Sequence, residues 1–242
     1  MDPVRAAFRA ECGRLTEVLS ELDDADLDRP TPCPPWTVRE LIAHVRTGAG
    51  RLTDMLAAPA PPRAEVDAAG YFGAAKFTPQ VDADRIEAAR SDAARSDAVR
   101  SEAARIGAGG RGAGQVRRAA LSVEFERAWR TADEAVAAAG PERVLRTRHG
   151  DAMSLTEFLG TRVVEVGVHG LDLAAALGRP PWLTPQAEAV IADLLTGGRP
   201  APAELRWDRL TVIRKTTGRA PLTVPEQTEI DAAGFRWLVF GR

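Results

Sequence analysis

One long helix in the second half of the chain constrains everything else. Ser154-Leu155-Thr156-Glu157 has the form of a capping box, in which the Ser hydroxyl accepts from the Glu amide and the Glu carboxylate reaches back. From there a helical pattern runs to Leu177 and stops at Gly178, with Pro180 and Pro181 beyond. In its middle stands Glu165-Val166-Gly167-Val168-His169. Residues four apart on an α-helix lie about 40° apart around the axis and roughly 6 Å apart along it, so the acid and the imidazole share a face. Asp172 falls on that face too.

Such a helix needs partners, and the rest of the chain offers them. Over residues 3–22, Phe8, Cys12, Leu15, Leu19 and Leu22 recur at spacings of three and four. After a polar, Pro-rich loop at 23–35, Thr37-Val38-Arg39-Glu40 forms a second capping box. The helix it opens runs to Met55 or Leu56, with Val38, Leu41, Val45, Leu52 and Met55 as its inner stripe. His44 lies beside that stripe, and Gly48, one turn later, leaves room next to it. Residues 115–139 carry a further stripe (Val116, Ala120, Phe125, Trp129, Ala132, Val136), closed by Gly140-Pro141. Four principal helices, near 3–22, 37–56, 115–139 and 154–177, predict a mainly α fold, a four-helix bundle over residues 1–180. Residues 181–242 predict a small α/β appendage. It comprises a helix from Thr184-Pro185 to Gly197-Gly198, one around Leu205–Thr217, a capped one from Thr223 to Ala233, and an alternating strand Phe235–Phe240.

Between the second and third helices the pattern changes. Residues 57–83, with Pro59, Pro61, Pro62 and Pro79, read as loop. A charged insert at about 84–114 follows, built on a five-residue repeat (Ala89-Arg90-Ser91-Asp92-Ala93 and its two successors). A period of five precesses about 140° per repeat around a helix, so no fixed apolar face arises. Asp92–Arg95, Asp97–Arg100 and Glu102–Arg105 are i,i+3 pairs worth only tenths of a kcal/mol each. The expectation is an Ala-rich, solvated helix, firm where it borders the core and frayed elsewhere, ending in a flexible Gly-rich break at Gly107–Gly114.

Charge excludes some functions. Lys and Arg number 32 against 34 Asp and Glu, a net charge of −2, which argues against a general nucleic-acid binder. No apolar run approaches the ~20 residues that span a membrane, and Met1-Asp2-Pro3-Val4-Arg5 opens no signal core. A cytoplasmic protein is expected. Cys12 and Cys33 are too few for a disulfide framework and are read as reduced thiols.

The chain has three histidines: His44, His149 and His169. His149, beside Gly150 in a turn, is expected to be exposed. Two helices that meet with His44 facing Glu165 and His169 would offer three ligands to one divalent metal and leave a coordination position open, as in catalytic sites. Other metal schemes fall away. There is no His-Glu-x-x-His motif, no finger spacing and no EF-hand loop, and three histidines in these places cannot build a di-iron bundle. By spacing alone the signal is weak. Glu-x-x-x-His arises often by chance, and a lone His44 reads more readily as a partly buried, hydrogen-bonded core histidine than as a ligand.

The surrounding residues add a resemblance. Thr31-Pro32-Cys33-Pro34-Pro35-Trp36-Thr37-Val38-Arg39-Glu40-Leu41-Ile42-Ala43-His44 closely resembles the opening of the mycothiol-dependent maleylpyruvate isomerase family, a branch of the DinB-like metalloenzymes. The segment Arg162-Val163-Val164-Glu165-Val166-Gly167-Val168-His169-Gly170-Leu171-Asp172-Leu173 is similar to that family's second metal motif. The tail from Arg214 to Thr223 resembles the short C-terminal region of some members. The resemblance implies a DinB-like bundle and a divalent metal, usually zinc, at His44, Glu165 and His169. It also implies mycothiol as a low-molecular-weight thiol cosubstrate and a small electrophile as substrate. A metal-activated thiolate then performs isomerisation or S-transfer. Asp172 reads either as an acceptor for the free ring N–H of a ligand histidine or as a solvated acid. Arg206, Arg214 and Arg219 are candidates for binding a substrate carboxylate. Two departures stand out: the charged insert, and a C-terminal part shorter than the sterol-carrier-like domain that helps bind substrate in the family. The competing expectation is of another class, a metal-stabilised bundle serving as a binding or regulatory module without turnover.

Overall fold

The computed structural model describes residues 1–72, 78–107 and 112–239. Helix α1 (Asp2–Glu21) is followed by a short capped turn of helix, α2 (Asp24–Leu27), inside the segment expected to be all loop. The Thr37 capping box forms as read. Thr37 Oγ1 accepts from the Glu40 amide, Glu40 Oε2 accepts from the Thr37 amide at 2.8 Å, and helix α3 (Val38–Gly50) runs on from it. The chain bends at Arg51 into α4 (Leu52–Ala57). Then come α5 (Ala68–Phe72), α6 (Pro79–Gly107) and α7 (Gly112–Ala139). An antiparallel hairpin, β1 (Val144–Arg146) paired with β2 (Ala152–Ser154), flanks what the sequence presented only as a turn. Helix α8 (Leu155–Leu177) leads out of β2 and ends at Gly178 in a left-handed cap.

The expected bundle is formed by α1, α3, α7 and α8, with α1 and α3 each packed on both α7 and α8. Phe8, Cys12, Leu15 and Leu19 of α1 meet Phe125, Trp129, Ala132 and Val136 of α7, all buried in one apolar core. Full burial of a side chain such as Phe125 contributes about 1.5–3 kcal/mol, and this core is what holds the helices together.

The charged insert gives the expected Ala-rich and largely solvated helix, but its seat on the bundle is not foreseen in the repeat. It is a docked helix of 29 residues, α6, lying against α3 and α7. Its apolar contribution is small, with Ala89 and Ala93 buried. Ions supply the remainder of the seam. Arg46 of α3 pairs with Asp92 at 2.6 Å and also with Glu124 of α7, Arg39 pairs with Asp97, and Arg90 reaches Glu40 at 3.3 Å. The repeat reads as surface because its acids find cations on another helix, not only in their own. The local pairs Asp92–Arg95 and Asp97–Arg100 do form. Residues 108–111 of the Gly-rich break lie outside the described residues, as does the side chain of Arg105 in the Glu102–Arg105 pair.

Beyond α8, helix α9 (Pro185–Thr196) packs on α1 and α8, and α10 (Arg209–Thr216) packs on α9. Gly167 permits the α8–α9 approach: a Cβ there would lie 2.6 Å from Ile191 Cδ1 and 2.8 Å from Leu183 Cδ2. A 3-10 turn at Ala203–Leu205 precedes α10, and α11 (Val224–Ala232) follows the Thr223 cap. The strand expected at Phe235–Phe240 is not formed over 235–239. That segment lies against the end of α9, where the Leu238 amide donates to the Leu195 carbonyl at 2.7 Å, and among the described residues no strand pairs with it. Phe240 lies outside the described residues. Among the described residues no helix is long and apolar enough to cross a membrane.

Candidate functional site

The capping box at Thr37 sets where α3 begins, and His44 sits two turns into it, on the side facing α8. There Glu165 and His169 project from the middle of α8. His44 Nε2 lies 2.6 Å from Glu165 Oε1, and His169 Nε2 lies 3.8 Å from the same oxygen. One ligand atom from each of His44, Glu165 and His169 falls within 4.8 Å of the other two. Gly48 leaves the space as expected: a Cβ would touch Glu165 Cγ and Arg162 Nη1 at 3.5 Å, so any larger side chain would fill the cavity beside them.

The loop before α3 closes the site from the side. The Thr31 amide and hydroxyl both donate to the Trp36 carbonyl, at 3.1 and 2.8 Å, and the Cys33 amide donates to Thr31 Oγ1 at 3.2 Å. This closed loop lays Trp36 against His44, ring centroids 4.6 Å apart, and directs Cys33 at Asp172.

Asp172 is a junction. It is 1% exposed. Its carboxylate accepts from Arg219 Nε at 3.0 Å and Nη2 at 2.7 Å, faces His169 Nδ1 at 3.0 Å, and takes the Cys33 thiol at 3.1 Å. Burial pushes its pKa up, but the bonds from His169 and Arg219 outweigh burial and hold it below the usual carboxylate range. An ionised Asp172 keeps the proton of His169 on Nδ1 and turns the Nε2 lone pair toward Glu165 and His44. The solvated-acid alternative for Asp172 is therefore set aside by its burial.

Glu165 is likewise held ionised. Burial raises its pKa, and His44, Arg162 and His169 together bring it well below the ordinary value. Burial lowers His44, more than Glu165 raises it, so its imidazole is neutral. Cys33 is driven the other way: burial first, then the charge and hydrogen bond of Asp172, push its thiol up to about 12. It stands in the site as a protonated donor, a placement the sequence did not suggest.

Of the three arginines considered for substrate binding, Arg219 reaches the site, carried there by the turn after α10. Arg214 lines a separate cavity on the far side of Asp172. His149 is half-buried, its ring 6.0 Å from that of Tyr71, and is not part of the cluster. Two cavities meet at Glu165. One, of about 340 Å³, is lined by Cys33, Trp36, Val164, Val168, His169 and Arg219. The other, of about 480 Å³, opens toward α6 past His44, Gly48 and Arg162. Arg85 and Phe72 border both.

Two solved structures are similar to this chain. One is a mycothiol-dependent maleylpyruvate isomerase, with a TM-score of 0.49 and 18% identity over 81% of this chain and 69% of that one. The other is a histidine mutant of a mycothiol-dependent maleylpyruvate isomerase, with a TM-score of 0.47 at the same identity and coverage. No curated protein matches the chain. The model of the family described as the mycothiol maleylpyruvate isomerase N-terminal domain matches residues 8–174, a span that begins in α1 and closes just past Asp172, and the chain belongs to that family.

Proposed function

We propose that the chain is a metal- and thiol-dependent enzyme, maleylpyruvate-isomerase-like, that isomerises a small electrophile or transfers sulfur to it, with mycothiol as the thiol. The carrying observation is the convergence of His44, Glu165 and His169 where two cavities meet, on a chain of this family. The donor set fits a divalent cation, zinc by preference. Two imidazoles and one ionised carboxylate suit it, and His44 Nε2 is buried with no hydrogen-bond partner although Glu165 Oε1 is close by. A cation held by the three would satisfy that nitrogen. When bound, such an ion lowers the pKa of a thiol so that it is a thiolate at neutral pH.

The chain's own residues do the rest. Asp172 fixes the His169 tautomer and holds Arg219 at the cavity wall. Arg219 commits Nε and Nη2 to Asp172 and Nη1 to the Thr217 carbonyl, which leaves N–H groups over for a substrate carboxylate. Trp36, Val164 and Val168 exclude water from the reacting carbon. A thiolate that adds to the β-carbon of an unsaturated acid leaves a single bond free to rotate, and its expulsion returns the other double-bond geometry. Against a substrate with a leaving group, the same attack transfers sulfur.

Elemental analysis of tag-free protein tests this reading. About one metal per chain is expected, lost in His44→Ala and in His169→Ala; full retention by both overturns it. Cobalt-substituted protein should then change its visible spectrum on addition of mycothiol. An unchanged spectrum, with no thiol consumed or isomer formed across a panel of electrophiles, favours the non-catalytic module instead.

A further inference from the structure

The 480 Å³ cavity on the α6 side is a cationic chamber. Its walls carry Arg51 from the bend between α3 and α4, Arg148 from the tip of the β hairpin and Arg162 from α8. Among the described residues none of the three forms an ion pair. Arg162, 5% exposed, has only Thr161 Oγ1 at 3.2 Å and the face of Phe158 at 4.7 Å. Arg148 has the ring nitrogen of His149 at 3.0 Å. Burial, then the charges of Arg148 and Arg162, pull Arg51 below its ordinary pKa, so the three guanidinium groups repel one another. Arg85, at the border, has a buried Nε with no partner. The two acids of the lining offset this charge only in part: Asp92 is taken by Arg46, and the single charge of Glu165 is shared between the histidines, Arg162 and Arg51. A buried guanidinium such as that of Arg162, with less than a full counter-charge, is costly, and a concave wall carrying three cations against one shared carboxylate focuses an attractive potential on anions.

We propose that this chamber is an anion-binding subsite in which Arg51, Arg148 and Arg162 jointly hold a doubly charged oxyanion group, a phosphate monoester or a pair of carboxylates, of a small-molecule ligand. A single carboxylate is saturated by one bidentate guanidinium. Three forks around one cavity match an anion with three or more oxygens. The subsite belongs to the arginines and stands with or without an ion at the histidines.

The test is calorimetric titration of the full chain with inorganic phosphate, malonate and acetate at one ionic strength. Phosphate or malonate should bind saturably and at least about tenfold more tightly than acetate. Arg148→Gln, at an exposed position that carries little folding risk, and Arg51→Gln should each weaken that binding about tenfold, while Arg179→Gln, whose partner is Glu21, should not. His44→Ala should keep it. The tighter of the two anions names the head group. Binding no tighter than acetate, or unaltered in both Arg148→Gln and Arg51→Gln, overturns the subsite. Loss in His44→Ala with retention in the arginine variants puts the anion on the metal ligands and also overturns it. Metal content of the arginine variants, which leave His44, Glu165 and His169 in place, reports on the metal reading separately.

Discussion

Replacing Asp172 by Asn removes one charge and almost no volume, so its effect isolates the electrostatics of the junction. Three donors converge on that carboxylate: Arg219 through two N–H groups, His169 Nδ1 and the Cys33 thiol. Breaking a fully buried ion pair costs about 3–5 kcal/mol. Asp172 retains 2% of its side-chain exposure but Arg219 retains 25%, so solvent screens one partner, which takes the expected loss to the lower end, about 3 kcal/mol. With a urea slope of about 3 kcal/mol per M, the unfolding midpoint falls by about 1 M. The pH dependence follows from the sign of the shift. Asp172 is depressed in the folded state from its ordinary 3.8, so its stabilisation is fully present above that value and is lost as pH falls below it toward the folded pKa. The stability of Asp172→Asn should therefore fall less steeply than wild type in acid below about pH 4. Metal affinity should fall about 10–100-fold as His169 loses its charged acceptor. A midpoint within about 0.3 M of wild type, together with an unchanged acid limb, would falsify the assignment of Asp172 as the electrostatic centre of the site.

Two further outcomes can be checked. At pH 8 Cys33, with its thiol held up to about 12 by burial and by Asp172, should alkylate with iodoacetamide about a thousandfold more slowly than a thiol of ordinary pKa. Asp172→Asn should speed it, and labelling as fast in the native protein as in urea would contradict that environment. Arg46→Gln cuts the links from α3 to Asp92 and Glu124, so amides of α6 should exchange with an opening free energy lowered by about 1–2 kcal/mol, less in molar salt. Unchanged exchange in α6 would mean that its alanines, not its charges, hold it down.

The long helices were legible because each carries a period, a cap and a stop. The capping residues at Thr37, Ser154, Thr184 and Thr223 all begin helices where the sequence places them. The candidate cluster was legible because both its motifs sit on such helices, where spacing translates directly into direction. What was not legible is long-range. Docking of α6 depends on pairs such as Arg46–Asp92, 46 residues apart, and a repeat with no apolar face gives no warning of them. The hairpin around His149 has strands of three residues, too short for alternation to register. Cys33 and Arg219 meet at Asp172 across 139 and 47 residues, through a loop and a turn whose paths no periodicity encodes.

The ion-paired seat of α6 has an evolutionary corollary. One wall of both cavities comes from a helix whose grip on the molecule is mostly ionic, while the opposite wall belongs to the oily centre of the bundle. Positions such as Arg85, Ala88 and Ser91 can thus drift to new chemistries without forfeiting the buried contacts that keep the protein folded. Selection can re-tailor what the pocket accepts on one face and leave the three converging side chains untouched on the other.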